Sequence, residues 1–512
     1  MTDETIKKIA KGAGIVFIGT GIGMFFAYLA SVIVARLLGP SDFGLISLAS
    51  TVATIASTIV LVGMPEGIVR FIALYKGMND QGRIKSVIIS SLSIVVPLSL
   101  AAGLFLFLFS DFISVRIFNK PDLTLILKIF SFSVPFYSIF AIFIYAIGGF
   151  QELKYMVYIR DIFQNSVRLF FILILLLLGY GIYGVAIVYT FTIITLPFAS
   201  LFYLNKIFPL FSKKIKSISM KKELFSFSWP LMFAGILGLV MGWIDTLMLG
   251  YFLEAKDIGI YRASLTTASL VLIIPSSFAS IFFPVITEFF SRGEKKEFEN
   301  INAVVTKWIL MIVLPLVLLM IIFSKQILYI LYGVEYMAGG FVLTILGIAY
   351  FITAIFSPTN QLIPVIGRTK LIMINTSIGA LLNVLLNFLL IPIYEINGAA
   401  IATTISILVV NTLAFLEVRA ITKIKPIRLN YWKIFFASII ATIIVYVITR
   451  LFFEVIPIPI LLSMFLLYMC FYFTLLLIIK AFEKDDIVIM KAIEERSGMR
   501  LQWMRNLIGR FF

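Results

Sequence analysis

The amino-acid sequence predicts an all-α polytopic membrane protein with about fourteen transmembrane helices, set out as two parallel six-helix repeats plus two C-terminal helices. Three observations predict it. Of 512 residues, 61% are hydrophobic and 13% charged, and the mean hydropathy is +1.08. Soluble domains run at about 45–50% apolar and about 25% charged. The apolar residues fall in continuous runs near the ~20-residue length that one bilayer-crossing helix needs. Two short patterns also recur in the second half of the chain at nearly one spacing. Continuous runs exclude a β-barrel, whose strands alternate over about ten residues.

The runs follow in order. The first covers about 13–37 and stops at Leu38-Gly39-Pro40-Ser41-Asp42; its polar start and the lack of a small-residue cleavage site predict a retained span, not a signal peptide. The second, about 43–68, is parted from the third, about 84–110, by Met78-Asn79-Asp80-Gln81-Gly82-Arg83. Asn119-Lys120-Pro121-Asp122 precedes the fourth, about 124–149. Gly and Pro continue a helix poorly, and short polar side chains satisfy the freed backbone groups. The fifth and sixth, about 157–179 and 182–205, lead to a basic stretch, Lys206 to Lys222. Six more occupy about 225–250, 259–287, 303–324, 337–357, 370–392 and 396–418. After a second basic stretch, Arg419 to Lys433, the last two lie at about 434–453 and 457–479. The expected organisation is a six-helix lobe over 1–206, a cytoplasmic linker over 207–222, a second lobe over 223–420, an extra helix pair over 430–480 and an amphipathic cytoplasmic tail over 481–512.

Lys and Arg orient the chain. With the N-terminus inside, 33 of the 42 basic residues fall on inner segments, 8 on outer ones, and Arg168 lies inside a run. This bias predicts cytoplasmic termini. It also explains the net charge of +16 as a topology signal, aided by anionic membrane lipids, with no nucleic-acid partner. There is no histidine and one cysteine, Cys470, which excludes His-based relays, thiolate clusters and intrachain disulfides. No P-loop is present, no cofactor is expected, and the reading is a non-enzyme.

The repeat rests on two matches. Asp42-Phe43-Gly44-Leu45 aligns with Asp257-Ile258-Gly259-Ile260 at an offset of 215. Tyr180-Gly181-Ile182-Tyr183-Gly184-Val185-Ala186-Ile187 aligns with Tyr394-Glu395-Ile396-Asn397-Gly398-Ala399-Ala400-Ile401 at an offset of 214. Six spans per repeat is an even number, so both halves start on the same side, which makes the repeat parallel. The first span's end, Ala35-Arg36-Leu37-Leu38-Gly39-Pro40, running into Ser41-Asp42-Phe43-Gly44-Leu45, resembles the multidrug/oligosaccharidyl-lipid/polysaccharide exporter superfamily, and its O-antigen-type polysaccharide flippases most of all. The six-plus-six-plus-two plan adds to the resemblance, which covers the whole chain. It implies MATE-like lobes around a central cleft. It further implies movement of a polyprenyl- or dolichyl-linked oligosaccharide from the inner to the outer leaflet of the cell membrane, with glycan-assembly proteins as partners.

Arg168 is the most informative residue, since an Arg within a span normally faces a bundle interior or a wet cavity. Asp161, Gln164, Asn165 and Arg168 are spaced i, i+3, i+4, i+7, which predicts one polar helix face suited to a phosphate or sugar, or else a polar seam between helices with Arg168 paired to Asp161 or another acid. Asn375 is the repeat position of Asp161, and Asn383 and Asn387 continue a milder polar face for sugar contact or interhelical bonding. Asp245, Arg36 and Arg262 are expected at the outer mouth as a gate, with Asp245 also a candidate for a coupling proton or Na⁺; the alternative is an interfacial ion pair. Glu66, in Gly63-Met64-Pro65-Glu66-Gly67 close to Arg70, predicts a broken helix that binds an ion or a helix end paired to Arg70. Glycines 19, 21 and 23 match 235, 238 and 242 and predict small-residue packing or a hinge. A cation-coupled multidrug exporter of the same fold is the nearest alternative. A polytopic glycosyltransferase is more remote, because no loop carries an acidic metal motif.

Overall fold

Backbone polar groups in hydrocarbon must be satisfied within the chain, so continuous apolar runs dictate helices. The computed structural model describes residues 3–212, 215, 219–424, 431–452, 458–483 and 486, and these residues form helices and no strands. The first part holds α1 (Asp3–Val60), α2 (Met64–Gly77), α3 (Gln81–Leu108), α4 (Leu123–Ser131), α5 (Ser133–Gly149), α6 (Leu153–Met156), α7 (Gln164–Leu177) and α8 (Gly181–Ile207). Then come α9 (Lys221–Phe252), α10 (Ala255–Ser269), α11 (Ile273–Ser291), α12 (Lys295–Ile322), α13 (Ser324–Tyr332), α14 (Gly340–Asn360), α15 (Leu362–Val365), α16 (Thr369–Thr422), α17 (Trp432–Phe452) and α18 (Ile458–Ile478). Most of the expected tail lies outside the described residues.

Ten helical stretches among the described residues are long and apolar enough to cross a membrane. Two of them, Ile18–Val60 and Thr369–Thr422, each cover most of two of the apolar runs. The chain turns inside these stretches without a loop: at Gly39 (φ 80°, ψ 173°) before Pro40, and at Glu395 (φ 55°, ψ −133°) after Pro392. The fifth run is divided into a π-helical turn, Val157–Phe163, followed by α7.

The chain forms two compact units, Met1–Ala263 with Val384–Ala399 and Ser264–Asn383 with Ala400–Phe512. In the first, α2, α3, α5 and α8 close around Ile68, Ile72, Val87, Ile88, Phe140, Ile144 and Leu196. Lipid offers no hydrophobic drive between helices, so small residues set the close approaches. A Cβ at Gly23 would fall 2.5 Å from the Asp161 carbonyl oxygen, and one at Gly19 would fall 2.2 Å from Val157 Cγ1, so these two glycines let α1 press on the π turn. Gly21, Gly235, Gly238 and Gly242 have open space at that position, so the packing reading holds for only two of the six.

In the second unit α12 is the hub. It packs against α11, α14 and α17, with Ile309, Val313, Ala354 and Val418 in one cluster and Leu314, Ala437, Tyr468 and Tyr472 in another. The extra helices are tied to it by polar bonds as well. Tyr472 OH donates to the Met311 carbonyl at 2.9 Å, and Tyr431 OH donates to Ala303 at 2.7 Å. Beyond α18, Asp486 is fully buried and pairs with Lys307 of α12 at 2.7 Å.

The duplication is visible in the backbone. Gly181 and Glu395, repeat equivalents, both adopt positive φ, 52° and 55°. Three residues on, Gly184 and Gly398 are both crowded: a Cβ would lie 2.6 Å from Tyr180 Cβ in one and 2.3 Å from the Leu390 carbonyl oxygen in the other.

Candidate functional site

The π turn positions the first group of polar residues. π turns widen a helix locally and recur at functional sites. Here the turn swings Asp161 toward α1, where Oδ1 accepts from Arg160 Nε at 2.9 Å and Oδ2 accepts from Thr20 Oγ1 at 2.9 Å. The Arg160 side chain stays 50% exposed while that of Asp161 is 13% exposed. Asn165 donates its amide to the Asp161 carbonyl at 2.8 Å, so it supports the turn itself. Sequence spacing placed Asp161, Gln164, Asn165 and Arg168 on one α-helical face. The widened turn breaks that phase, and Asp161 is committed to α1 and Arg160.

Arg168 therefore does not pair with Asp161. With the Gln164 amide oriented to satisfy both its ends, Gln164 Oε1 accepts from Arg168 Nη2 at 2.9 Å and its amide donates to the Arg160 carbonyl at 3.2 Å. The guanidinium lies over the Tyr189 ring of α8, 4.5 Å from its centroid. Its Nε is buried and makes no hydrogen bond, and no carboxylate among the described residues pairs with it. A cation at membrane depth with an unspent donor has the chemistry to receive an anion.

Glu66 and Arg70 lie in the first turns of α2, just after a real helix break. The chain leaves helix at Leu61–Gly63, with Val62 at φ 49° and Gly63 at φ 66°. A Cβ on Gly63 would fall 2.3 Å from the Ser228 carbonyl oxygen, so the break admits α9 at close range. Arg70 does not pair with Glu66; its guanidinium sits 4.2 Å from the Phe227 ring centroid. Glu66 is exposed and within electrostatic reach of Tyr145, which in turn senses Arg160. Tyr137 also lies in the field of Arg160. Thr20, Tyr137, Tyr145, Arg160 and Tyr189 were missed by sequence reasoning. A tyrosine in an apolar run carries no distinctive signal, and Arg160 read as one more inner-face charge.

Asp245 has the second notable environment. It is 7% exposed; Oδ1 accepts from Asn387 Nδ2 at 2.7 Å, and Oδ2 accepts from the Tyr261 hydroxyl at 2.7 Å. The structure thus joins Asp245 to Asn387, which sequence spacing had placed on a sugar-contact face. Asn383 donates to Thr403 Oγ1 at 3.2 Å and Asn375 to Glu417 Oε2 at 2.7 Å, so both amides serve interhelical bonds. Arg262 lays its guanidinium 4.8 Å from the Trp243 ring centroid, and Arg36 is exposed. Among the described residues no three His, Cys, Asp or Glu side chains gather as a metal site would require.

Comparison with known proteins shows the family and the fold. The sequence model of the family described as polysaccharide biosynthesis protein matches residues 9–290, and a second model, MatE, matches 230–389. An uncharacterized membrane protein of Methanocaldococcus jannaschii is 25% identical over 411 residues, covering 78% of this chain and 81% of that one. A probable low-salt glycan biosynthesis flippase of Haloferax volcanii is 26% identical over 44% of this chain and 47% of its own. A putative O-antigen transporter of Shigella flexneri is 23% identical over 73% of this chain and 89% of its own. Among solved structures, the lipid II flippase MurJ in an inward closed conformation superposes with a TM-score of 0.72 at 17% identity, covering 90% of this chain and 97% of that chain. An inward-facing multidrug resistance MATE transporter superposes at 0.65, with 16% identity over 80% of this chain and 98% of its own. These two likenesses establish the fold.

Proposed function

Because the chain belongs to the polysaccharide biosynthesis protein family, we propose that it is a flippase for a lipid-linked oligosaccharide. Its substrate class is a polyprenyl or dolichyl phosphate or pyrophosphate sugar, carried from the inner to the outer leaflet of the cell membrane by alternating access. The observation that carries this is Arg168: a cation at membrane depth, partnered by an amide and an aromatic face and, among the described residues, by no carboxylate. A multidrug exporter moving cationic substrates has no use for that charge. Arg160, held by Asp161 beside Tyr137 and Tyr145, supplies further donors and ring faces for sugar hydroxyls. Asp245, with Asn387 and Tyr261, is assigned the coupling proton or Na⁺. The chemistry is transport without bond cleavage, the termini are cytoplasmic, and the lobes are 1–206 and 223–420. Glycan-assembly enzymes supply the substrate on the inner face.

The test is reconstitution. Labelled polyprenyl-pyrophosphate N-acetylglucosamine should cross proteoliposomes containing the protein and stay put in empty ones. Equal rates in both would overturn the proposal.

A further inference from the structure

The second compact unit holds an apolar cavity of about 330 Å³ between α12 and α18, lined by Trp308, Met311, Pro315, Met469, Leu476 and Phe482. Ligand sites run from about 300 to 1,000 Å³. Pro315 has no N–H, so the Met311 carbonyl four residues earlier lacks its helical donor. The Tyr472 hydroxyl fills that place at 2.9 Å, so the proline leaves no open acceptor in this wall. From Trp308 to Pro315 the cavity runs about 10 Å along α12.

One end of this cavity is built for an anion. Lys307 and Trp308, adjacent on α12, aim Nζ and Nε1 at one point, where they donate to the Asp486 carboxylate at 2.7 Å and 2.9 Å. The Glu483 backbone N–H donates to the same carboxylate at 2.7 Å. Trp308 serves both places. Its indole N–H meets the carboxylate, and its ring lines the cavity beside Phe482, with 6.4 Å between centroids. Lys307 and Trp308 belong to the helix, whereas the carboxylate comes from beyond α18, 179 positions along the chain. The ammonium is 5% exposed, and a cation so enclosed needs a counter-ion. Lys307 falls in the first turns of the apolar run at about 303–324, and Pro315 lies near its middle. The charged end therefore sits at head-group level, where tryptophans gather and basic pockets hold acidic head groups. The apolar end points to the bilayer centre.

We infer that the cavity and its Lys307–Trp308 mouth form a site for an acidic phospholipid of the membrane, with the phosphate on the two donors and one chain in the cavity, and that Asp486 fills the phosphate place in this structure. The C-terminal segment and the lipid compete for one seat, so acidic lipid releases the segment and its loss docks it. That the lipid belongs to the inner leaflet rests on the flippase reading and its topology; the site does not.

The test titrates the full chain in neutral detergent micelles with dioleoyl-phosphatidylglycerol and reads bound lipid by native mass spectrometry. A ligand's apparent affinity falls with the fraction of seats that are open, so Asp486→Ala should bind this lipid at least about tenfold more tightly than the parent. Lys307→Met/Asp486→Leu should lose that gain, and Met469→Trp, which fills the cavity, should reduce it in the Asp486→Ala background. Dioleoyl-phosphatidylcholine, and glycerol phosphate without chains, should bind the parent and Asp486→Ala alike. Equal phosphatidylglycerol binding by the parent, Asp486→Ala and the double variant overturns the inference. So does a gain that phosphatidylcholine or glycerol phosphate shares, or one that Met469→Trp leaves intact. Where Asp486→Ala is too unstable to purify, Asp486→Asn, which keeps the shape and drops the charge, takes its place with a smaller gain expected. No transport is measured, so failure here leaves the flippase reading standing, and failure of that reading leaves this test intact.

Discussion

Replacing Asp486 by alanine removes a wholly shielded carboxylate and three bonds at once. Oδ2 accepts from Lys307 Nζ at 2.7 Å and from the Glu483 backbone N–H at 2.7 Å; Oδ1 accepts from Trp308 Nε1 at 2.9 Å. Lys307 is only 5% exposed, so the variant strands an ammonium among the helices, with the Glu483 carboxylate 4.0 Å away as partial compensation. Breaking a buried pair from one side costs about 3–5 kcal/mol. Glu483 moves this toward the lower end, and the lost indole bond adds about 1 kcal/mol. The expected loss is therefore about 4 kcal/mol. Removing both charges in Lys307→Met/Asp486→Leu leaves no orphan and should cost about 2 kcal/mol or less. Equilibrium unfolding in mixed micelles, followed by tryptophan fluorescence with Trp308 as a reporter at the contact, measures both. A single variant within about 1 kcal/mol of the parent, or a double variant as unstable as the single one, would refute the reasoning.

Arg168→Ala should abolish movement of labelled polyprenyl-pyrophosphate N-acetylglucosamine in proteoliposomes at normal protein levels; Arg168→Lys should retain part of it, since a lysine keeps the charge and loses the fork. Asp245→Asn should uncouple transport from an imposed H⁺ or Na⁺ gradient while exchange without a gradient persists, measured as gradient-driven against equilibrium flux. Glu395→Gly should raise thermal stability by about 1 kcal/mol, because a non-glycine residue at φ 55°, ψ −133° stores strain; unchanged or lower Tm would count against it.

Much of the fold was legible because lipid is a strict solvent. Run length and Lys/Arg placement follow from hydrocarbon thickness and surface charge, and neither depends on which residue touches which. The Pro-Gly cluster at 63–67 read as a broken helix for the same local reason, and the chain does leave helix at 61–63. The site was less legible because its residues depend on phase and partner. A π turn inserts a fraction of a residue into the helical period, so Asp161 and Arg168 part company although their spacing is α-helical. The pairing of Asp245 with Asn387 joins residues 142 positions apart, which no local pattern encodes. Asn375 found its acceptor in Glu417, an acid that sequence reasoning had passed over.

The repeat shows what duplication retained and what it divided. Backbone devices appear twice: the paired glycines 44 and 259, and the positive φ at 181 and 395. The buried charges do not. At an offset of 214, Gln164, Arg168 and Tyr189 correspond to Ile378, Leu382 and Thr403, so the arginine with its amide and ring partners exists only in the first half. At offsets of 215, 215 and 214, Asp245, Tyr261 and Asn387 correspond to Ala30, Ile46 and Leu173, so the buried acid exists only in the second. Symmetric backbone devices joined to asymmetric charges suit the proposed cycle, in which one half holds an anionic substrate and the other a coupling cation. The division makes a prediction of its own. Leu382→Arg should fail to rescue Arg168→Ala, because its surroundings hold no amide at 378 and no aromatic ring at 403 to receive a guanidinium. Recovery of proteoliposome transport in that double variant would mean that charge alone suffices, and that the Gln164–Arg168–Tyr189 arrangement is incidental.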